Sequence, residues 1–223
     1  GILLASAAKE YLKVYGVLVG KKPIIFTNND SAYETAIEFK KNGVNSIVID
    51  TRKDSQSSVV TEAKNLNIEI RFSHAIANTS GYRRVNSVTI GKLNSNKTGY
   101  EKLTKYSCDS VCVSGNWTPT VHLSSQSGNK LKFNEIIDAF VPNQSRQNEH
   151  TIGAAEGSYT LKESLQKGFD KGFEISNKIT EKNLKTTTPP SNERIYEQYD
   201  KFWCMPLPKN GNYKRFVDFQ NDV

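Results

Sequence analysis

Residues 22–50, KPIIFTNNDSAYETAIEFKKNGVNSIVID, decide the fold. Pro23–Thr27 is an apolar run of strand length. Asn28-Asn29-Asp30-Ser31 is a turn whose Asn and Asp side chains can accept the free backbone donors of a following helix. Ala32, Ala36, Ile37 and Phe39 supply the apolar stripe of that helix, and Asn42-Gly43 stops it. Ser46–Asp50 reads as a second strand. Strand, helix, strand is the first half of a nucleotide-binding α/β fold with a parallel sheet. The turn itself is wrong for a dinucleotide. A pyrophosphate needs glycines for close backbone approach and bare donors at the helix start. Here no Gly is present, and Asp30 places negative charge where phosphate would sit. Asp50 stands at the strand end where a ribose-binding acid would be, a position acids also take without any ligand. The unit is therefore read as scaffold rather than as a nucleotide site.

Upstream, Ile2–Tyr15 has Leu3, Leu4, Ala7, Ala8, Tyr11, Leu12 and Tyr15 at helical spacing, with Gly16 as its cap. Downstream, Ser57–Asn65 is a short helix and Ile68–Phe72 alternates as a strand. His74–Asn78 and Val85–Ile90 read as antiparallel strands around a turn at Thr79-Ser80-Gly81. Lys92–Glu101 is a polar loop, and Leu103–Cys108 another short strand. His74 has no carboxylate at matching spacing and reads as a structural histidine.

The stretch Cys108–Gly128, CDSVCVSGNWTPTVHLSSQSG, continues with an alternating strand, Ser110–Val113, that breaks at Ser114-Gly115. Gly115 offers a left-handed or crowded backbone position, and Pro119 forbids a continuing ladder before a short polar helix. Two readings fit: delivery of chain to a ligand crevice at the end of a sheet, or an ordinary surface loop. Beyond it, Lys130–Glu135 is extended, and the apolar Ile136–Val141 is ended by Pro142. His150–Ser158, HTIGAAEGS, brings small residues to the start of a helix that runs from Tyr159 to about Asn177. Such a start is either an anion site, by dipole and free donors, or a Gly-rich turn before a packing helix. Lys178–Asn192 is a polar, Pro-Pro linker. The aromatic tail that follows, Tyr196, Tyr199, Phe202 and Trp203, needs a surface to bury on, in another domain or in a partner.

The chain has 223 residues, 36% of them apolar, and a net charge of +7. Only seven of the 30 basic residues are Arg and the lysines are dispersed, which argues against nucleic acid as a partner. No run approaches a membrane span, and the start lacks a basic leader, so a soluble cytoplasmic protein is expected. Cys108 and Cys112, four apart, read as filler on one strand face. With Cys204 they form neither a disulfide framework nor a metal site. No arrangement of Ser, His, Asp, Glu or Cys has the spacing of a catalytic centre.

The pattern CD-x-V-x-V-x-G-x-x-P at Cys108–Pro119 resembles the return strand of flavoprotein reductases with two dinucleotide-binding domains. VSGNWTPTVHLSSQSG, together with Val17–Asp50, Ile152–Gly168 and FVDFQNDV at the end of the chain, resembles the α-subunit family of heterotetrameric sarcosine oxidases. The resemblance covers most of the chain. Ala154-Ala155-Glu156 stands where the reductases carry Gly-Asp, a change shared with that family, which binds NAD there. The implied fold is α/β: a Rossmann-like parallel sheet with an antiparallel three-stranded flap, incomplete, plus an extended C-terminal tail. The implied domains are 1–120, a degenerate second NAD(P)-binding-like domain; 121–177, the returning part of the first; a linker at 178–194; and a tail at 195–223 leading into a further domain. The chain is accordingly expected to be an internal segment, scaffold and partial NAD-binding region, inactive alone, of a complex that oxidatively demethylates sarcosine. Ser114, Gly115, Trp117, Gly153, Ala154 and Ala155 are the implied NAD contacts. FAD, FMN and tetrahydrofolate would lie elsewhere in the complex, and the partners would be its other subunits. An NAD(P)H-dependent reductase domain and a non-catalytic interaction module are the alternatives.

Overall fold

The structure is a computed structural model that describes residues 1–115, 117–180, 190, 200–202 and 204–207. The FVDFQNDV segment, most of the expected linker, and Tyr196, Tyr199 and Trp203 of the tail lie outside the described residues. Two compact units are present. One holds residues 1–115 with the described residues from 200 onward, and the other begins after Gly115.

In the first unit, five parallel strands form one sheet. They are β1 (Ile2–Leu4), β2 (Pro23–Thr27), β3 (Ile47–Asp50), β4 (Glu69–Phe72) and β8 (Ser110–Ser114), in the order β1-β8-β2-β3-β4. Helices α1 (Ala5–Tyr15), α2 (Ser31–Lys41) and α3 (Ser58–Asn65) connect them. Between β4 and β8 the chain makes an antiparallel flap of β5 (His74–Ser80), β6 (Ser87–Leu93) and β7 (Tyr100–Ser107). The expected parallel sheet with a three-stranded flap is thus present.

The period of two along each strand sorts side chains onto two cores. Ile25, Val48 and Cys112 face a core of Ala5, Ala8, Tyr33, Ala36, Phe39, Val59 and Val60 from the helices. Ile24, Ile49 and Val111 face the opposite way, onto Val88 and Ile90 of the flap. Full burial of each such aliphatic or aromatic side chain contributes about 1.5–3 kcal/mol.

Two expectations are corrected here. Ile2–Leu4 is a strand, not the first turn of a helix, because it pairs in parallel with Val111–Val113. Leu3 alone of the three packs on the core, while Ile2 and Leu4 stay exposed. The helix begins at Ala5 and ends, as expected, at Gly16, whose left-handed φ of 63° turns the next N–H, that of Val17, back to Tyr11 O. Cys108 and Cys112 do not share a face. Cys108 lies in the turn before β8 and packs with the flap core, and Cys112 packs with the helix core.

Burial pushes the Cys112 thiol up to about 12 and raises that of Cys108, with Asp109 adding to the latter. Thiolate is the reactive form. In native protein at neutral pH, a maleimide reagent is therefore expected to label one thiol, the exposed Cys204, and peptide mapping checks this. Fast labelling of Cys112 would show that the sheet opens.

The second unit contains α4 (His122–Gln126), a hairpin of β9 (Lys130–Asn134) and β10 (Ala139–Gln144), a 3₁₀ turn at Gly153–Glu156, and α5 (Leu161–Thr180). Pro142 does not end its segment. It sits within β10 opposite Leu131, and the register slips just beyond it. Proline is tolerated on edge strands, and β10 is one in this two-stranded sheet. The helix α5 runs three residues beyond Asn177.

Candidate functional site

In an open parallel sheet, ligands bind outside the carboxyl ends of the strands, where the strand order reverses. Here the chain proceeds from β2 through β3 to β4 on one side, and β8 joins β2 on the other. The switch point therefore lies between Thr27 and Ser114, which are register partners.

The β2–α2 turn closes this point with its own side chains. Asn29 Nδ2 donates to the carbonyls of Gly115 and Ser114, crossing from β2 to β8. Asn29 Oδ1 accepts from Ser31 N at 3.0 Å and from Ser31 Oγ at 2.6 Å. Thr27 Oγ1 donates to Asn29 O and accepts from Asn29 N. Ser114 Oγ lies 3.1 Å from Ser31 Oγ. Two backbone donors that could meet a phosphate, Asn29 N and Ser31 N, are thus spent within the turn. The capping role expected of Asn28–Ser31 falls to Asn29, since Asp30 at the cap position makes no side-chain bond to the helix.

Asp30 instead enters a buried charge cluster. Arg52 Nη1 lies 2.7 Å from Asp30 Oδ1, and its Nη2 lies 2.8 Å from Asp50 Oδ2. Asp50 also accepts from Arg52 N at 2.9 Å and from Tyr33 Oη at 2.7 Å. Both carboxylates are fully buried. Burial works against the Arg52 charge, but its hydrogen bonds and attraction to Asp50, then Asp30, more than offset this and hold its pKa above the ordinary value. Burial, then the charge and hydrogen bond of Asp50, raises the Tyr33 hydroxyl well above its usual range, so it stays a donor. Asp50, which stands where a ribose acid would be, is thus committed inward. A turn without glycine that carries two buried carboxylates does not fit a dinucleotide pyrophosphate.

Of the residues singled out in the sequence, Ser114 and Gly115 lie at this switch point. Gly115 is neither left-handed nor crowded: a side chain added there would meet nothing within 4 Å. Trp117, Gly153, Ala154 and Ala155 lie in the second unit. Trp117 is exposed, its ring tilted against Tyr159 at 6.4 Å. Gly153 opens the 3₁₀ turn at φ 73° and Gly157 closes it at φ 94°. A Cβ on Gly157 would stand 2.5 Å from Ile137 Cδ1, so the backbone is closely approached there. Glu156 is tied to Lys167, and Ser164 Oγ donates to Ser158 O at 3.1 Å. His74 is structural, its Nδ1 2.6 Å from Phe72 O. Among the described residues, no His, Cys, Asp and Glu cluster could hold a metal, and no helix is long and apolar enough to cross a membrane.

Arg52 and Tyr33 were not singled out in the sequence. The only available signal was Asp50-Thr51-Arg52, an acid and a base flanking a strand end.

No protein-family model matches the chain. It is similar to sarcosine oxidase subunit alpha of Corynebacterium sp. (strain P-1), 32% identical over 75% of this chain and 17% of the relative. The subunits of Corynebacterium sp. (strain U-96) and Rhizobium meliloti (strain 1021) are 29% and 26% identical over 100% of this chain and 23% and 21% of theirs. The chain therefore spans about a fifth of the length of these curated relatives. In fold it resembles Lactococcus lactis thioredoxin reductase, at a TM-score of 0.61 with 11% identity, covering 81% of this chain and 58% of that one. It also resembles T. acidophilum thioredoxin reductase, at 0.55 with 16% identity, covering 72% and 51%.

Proposed function

We propose, from a chain that over its whole length resembles sarcosine oxidase subunit alpha, that it is an internal scaffold and partial NAD-binding segment of such a subunit. The parent complex is read as a cytoplasmic oxidoreductase acting on the CH–NH group of sarcosine. NAD belongs to the α subunit, and FAD, FMN and tetrahydrofolate belong to other parts of the complex. This segment carries no step of that chemistry.

The observation that carries the reading is the β2–α2 turn. Its charge cluster and its Asn29 bridge make the first unit a load-carrying framework rather than a nucleotide site. On this reading the NAD contacts lie in the second unit, at Trp117, Gly153, Ala154 and Ala155. Small residues around two left-handed glycines let a ligand approach the backbone, and Ala154 and Trp117 are exposed to meet it.

Calorimetric titration of the complete subunit with NAD tests this. Ala154→Glu, which sets a carboxylate against the ligand's phosphates, is expected to weaken binding by at least about tenfold, equivalent to about 1.4 kcal/mol. Ser31→Glu, at the β2–α2 turn, is expected to leave it unchanged. The reverse pattern would make the first unit the nucleotide site and sink the scaffold reading.

A further inference from the structure

The crevice beyond β2 and β3 has an occupant, and it comes from the same chain. The Asp200 backbone N–H donates to Asn28 O at 3.0 Å, and Asn28 Nδ2 donates back to Asp200 O at 3.0 Å. Thr51 Oγ1, one residue past β3, donates to Asp200 Oδ2 at 3.2 Å. Lys97, from the turn between β6 and β7, forms an ion pair with the same carboxylate oxygen. Its ammonium also stands 5.3 Å from the centre of the Phe202 ring.

Lys97 is held for this reach. Its φ is 54°, a left-handed conformation that a side-chain-bearing residue adopts at a cost. The turn enforces it: Lys97 N donates to Asn94 O, and Asn94 Oδ1 accepts from Thr98 N and Gly99 N. Three elements far apart in sequence thus converge on one carboxylate and on the peptide that bears it.

We infer that Asn28, Thr51 and Lys97 form a peptide-docking site that reads an aspartyl side chain in extended chain, and that its occupant is this chain's own Asp200–Phe202. The segment fills from within the place that a parallel sheet of this kind offers to a ligand. This rests on the scaffold reading and deepens it. The first unit is closed to nucleotide twice, by the charge cluster below and by the docked tail above. It also ties the C-terminal tail to the sheet at a defined point.

Residue-resolved amide hydrogen exchange on the whole chain tests the proposal. The Asp200 amide is expected to be protected. Lys97→Ala, a change outside both cores, is expected to lower that protection by at least about tenfold, the factor produced by about 1.4 kcal/mol. Raising the salt concentration should act in the same direction, since the ion pair is only partly buried. An Asp200 amide exchanging at the unprotected rate, or protection indifferent to Lys97→Ala, would overturn the site. Loss of protection on adding NADPH would show a docked tail that yields to nucleotide, which supports the site and sinks the scaffold reading. NAD binding governed by Ser31, with Asp200 still protected, would sink the scaffold reading and leave this one standing.

Discussion

Replacing Arg52 with methionine is expected to destabilise the first unit by about 3–5 kcal/mol, the usual consequence of stranding a buried charge. Methionine keeps much of the side chain's bulk, so the loss is electrostatic rather than a cavity. The guanidinium is the group that the described structure places between Asp30 and Asp50. Without it, two fully buried carboxylates lose the guanidinium they share, while Tyr33, Ser55 and the backbone N–H of residue 52 still donate to them. Those donors solvate charge but do not neutralise it. A loss of this size approaches the whole stability of an ordinary domain. Urea unfolding followed by circular dichroism checks it. The triple variant Arg52→Met, Asp30→Asn, Asp50→Asn is the control, because neutral amides remove the repulsion. It is expected to recover a substantial part of the loss. If Arg52→Met alone stays within about 1 kcal/mol of wild type, less than even a moderate core substitution costs, the cluster is wet and the argument against a bound phosphate at this turn weakens with it.

The Arg52 cluster also shows where sequence reading stops. Pro23–Asp50 was legible because every signal in it is local: strand-length apolar runs, a helical stripe, an Asn-Gly stop. The same holds for the flap, whose strands pair with their sequence neighbours. What failed depended on distant partners. Ile2–Leu4 is apolar at both helical and strand spacing, and only β8, more than a hundred residues away, makes it a strand. Cys108 and Cys112 were put on one face by counting through a turn at Asp109, whose carboxylate instead accepts from Lys21 N and Lys22 N and pins the start of β2. Gly115 was read as offering a left-handed or crowded backbone position, yet its backbone asks for no glycine. Asp30 was read as charge set where a phosphate would sit, and in the structure it turns to a buried ion pair. Its own partner, Arg52, and the partner of Asp200, Lys97, are bare charges in sequence, and nothing local distinguishes them from solvated ones.

Burial, which periodicity cannot measure, sets the second large effect. The sequence gives α1 and α2 similar stripes, with Tyr11 in one and Phe39 in the other. The structure treats them differently. Phe39 is fully enclosed by the sheet and helices, whereas Tyr11 is 48% exposed and stacks only loosely on Tyr15 at 6.1 Å. Phe39→Ala is expected to cost about 3–5 kcal/mol, as transfer free energy and an unfilled cavity combine. Tyr11→Ala is expected to cost no more than about 0.5 kcal/mol, as for other surface changes. Both are read from shifts in the urea midpoint at unchanged slope, so that compactness of the unfolded state does not enter. Equal losses from the two would mean that the outer face of α1 is as buried as the inner face of α2, covered by something the chain carries or binds. A small loss at Phe39 alone would mean that α2 does not pack on β2 and β3 as described. The turn it begins, with Asn29 bridging to β8 and Asp30 held by Arg52, would then have no fixed platform from which to close the switch point.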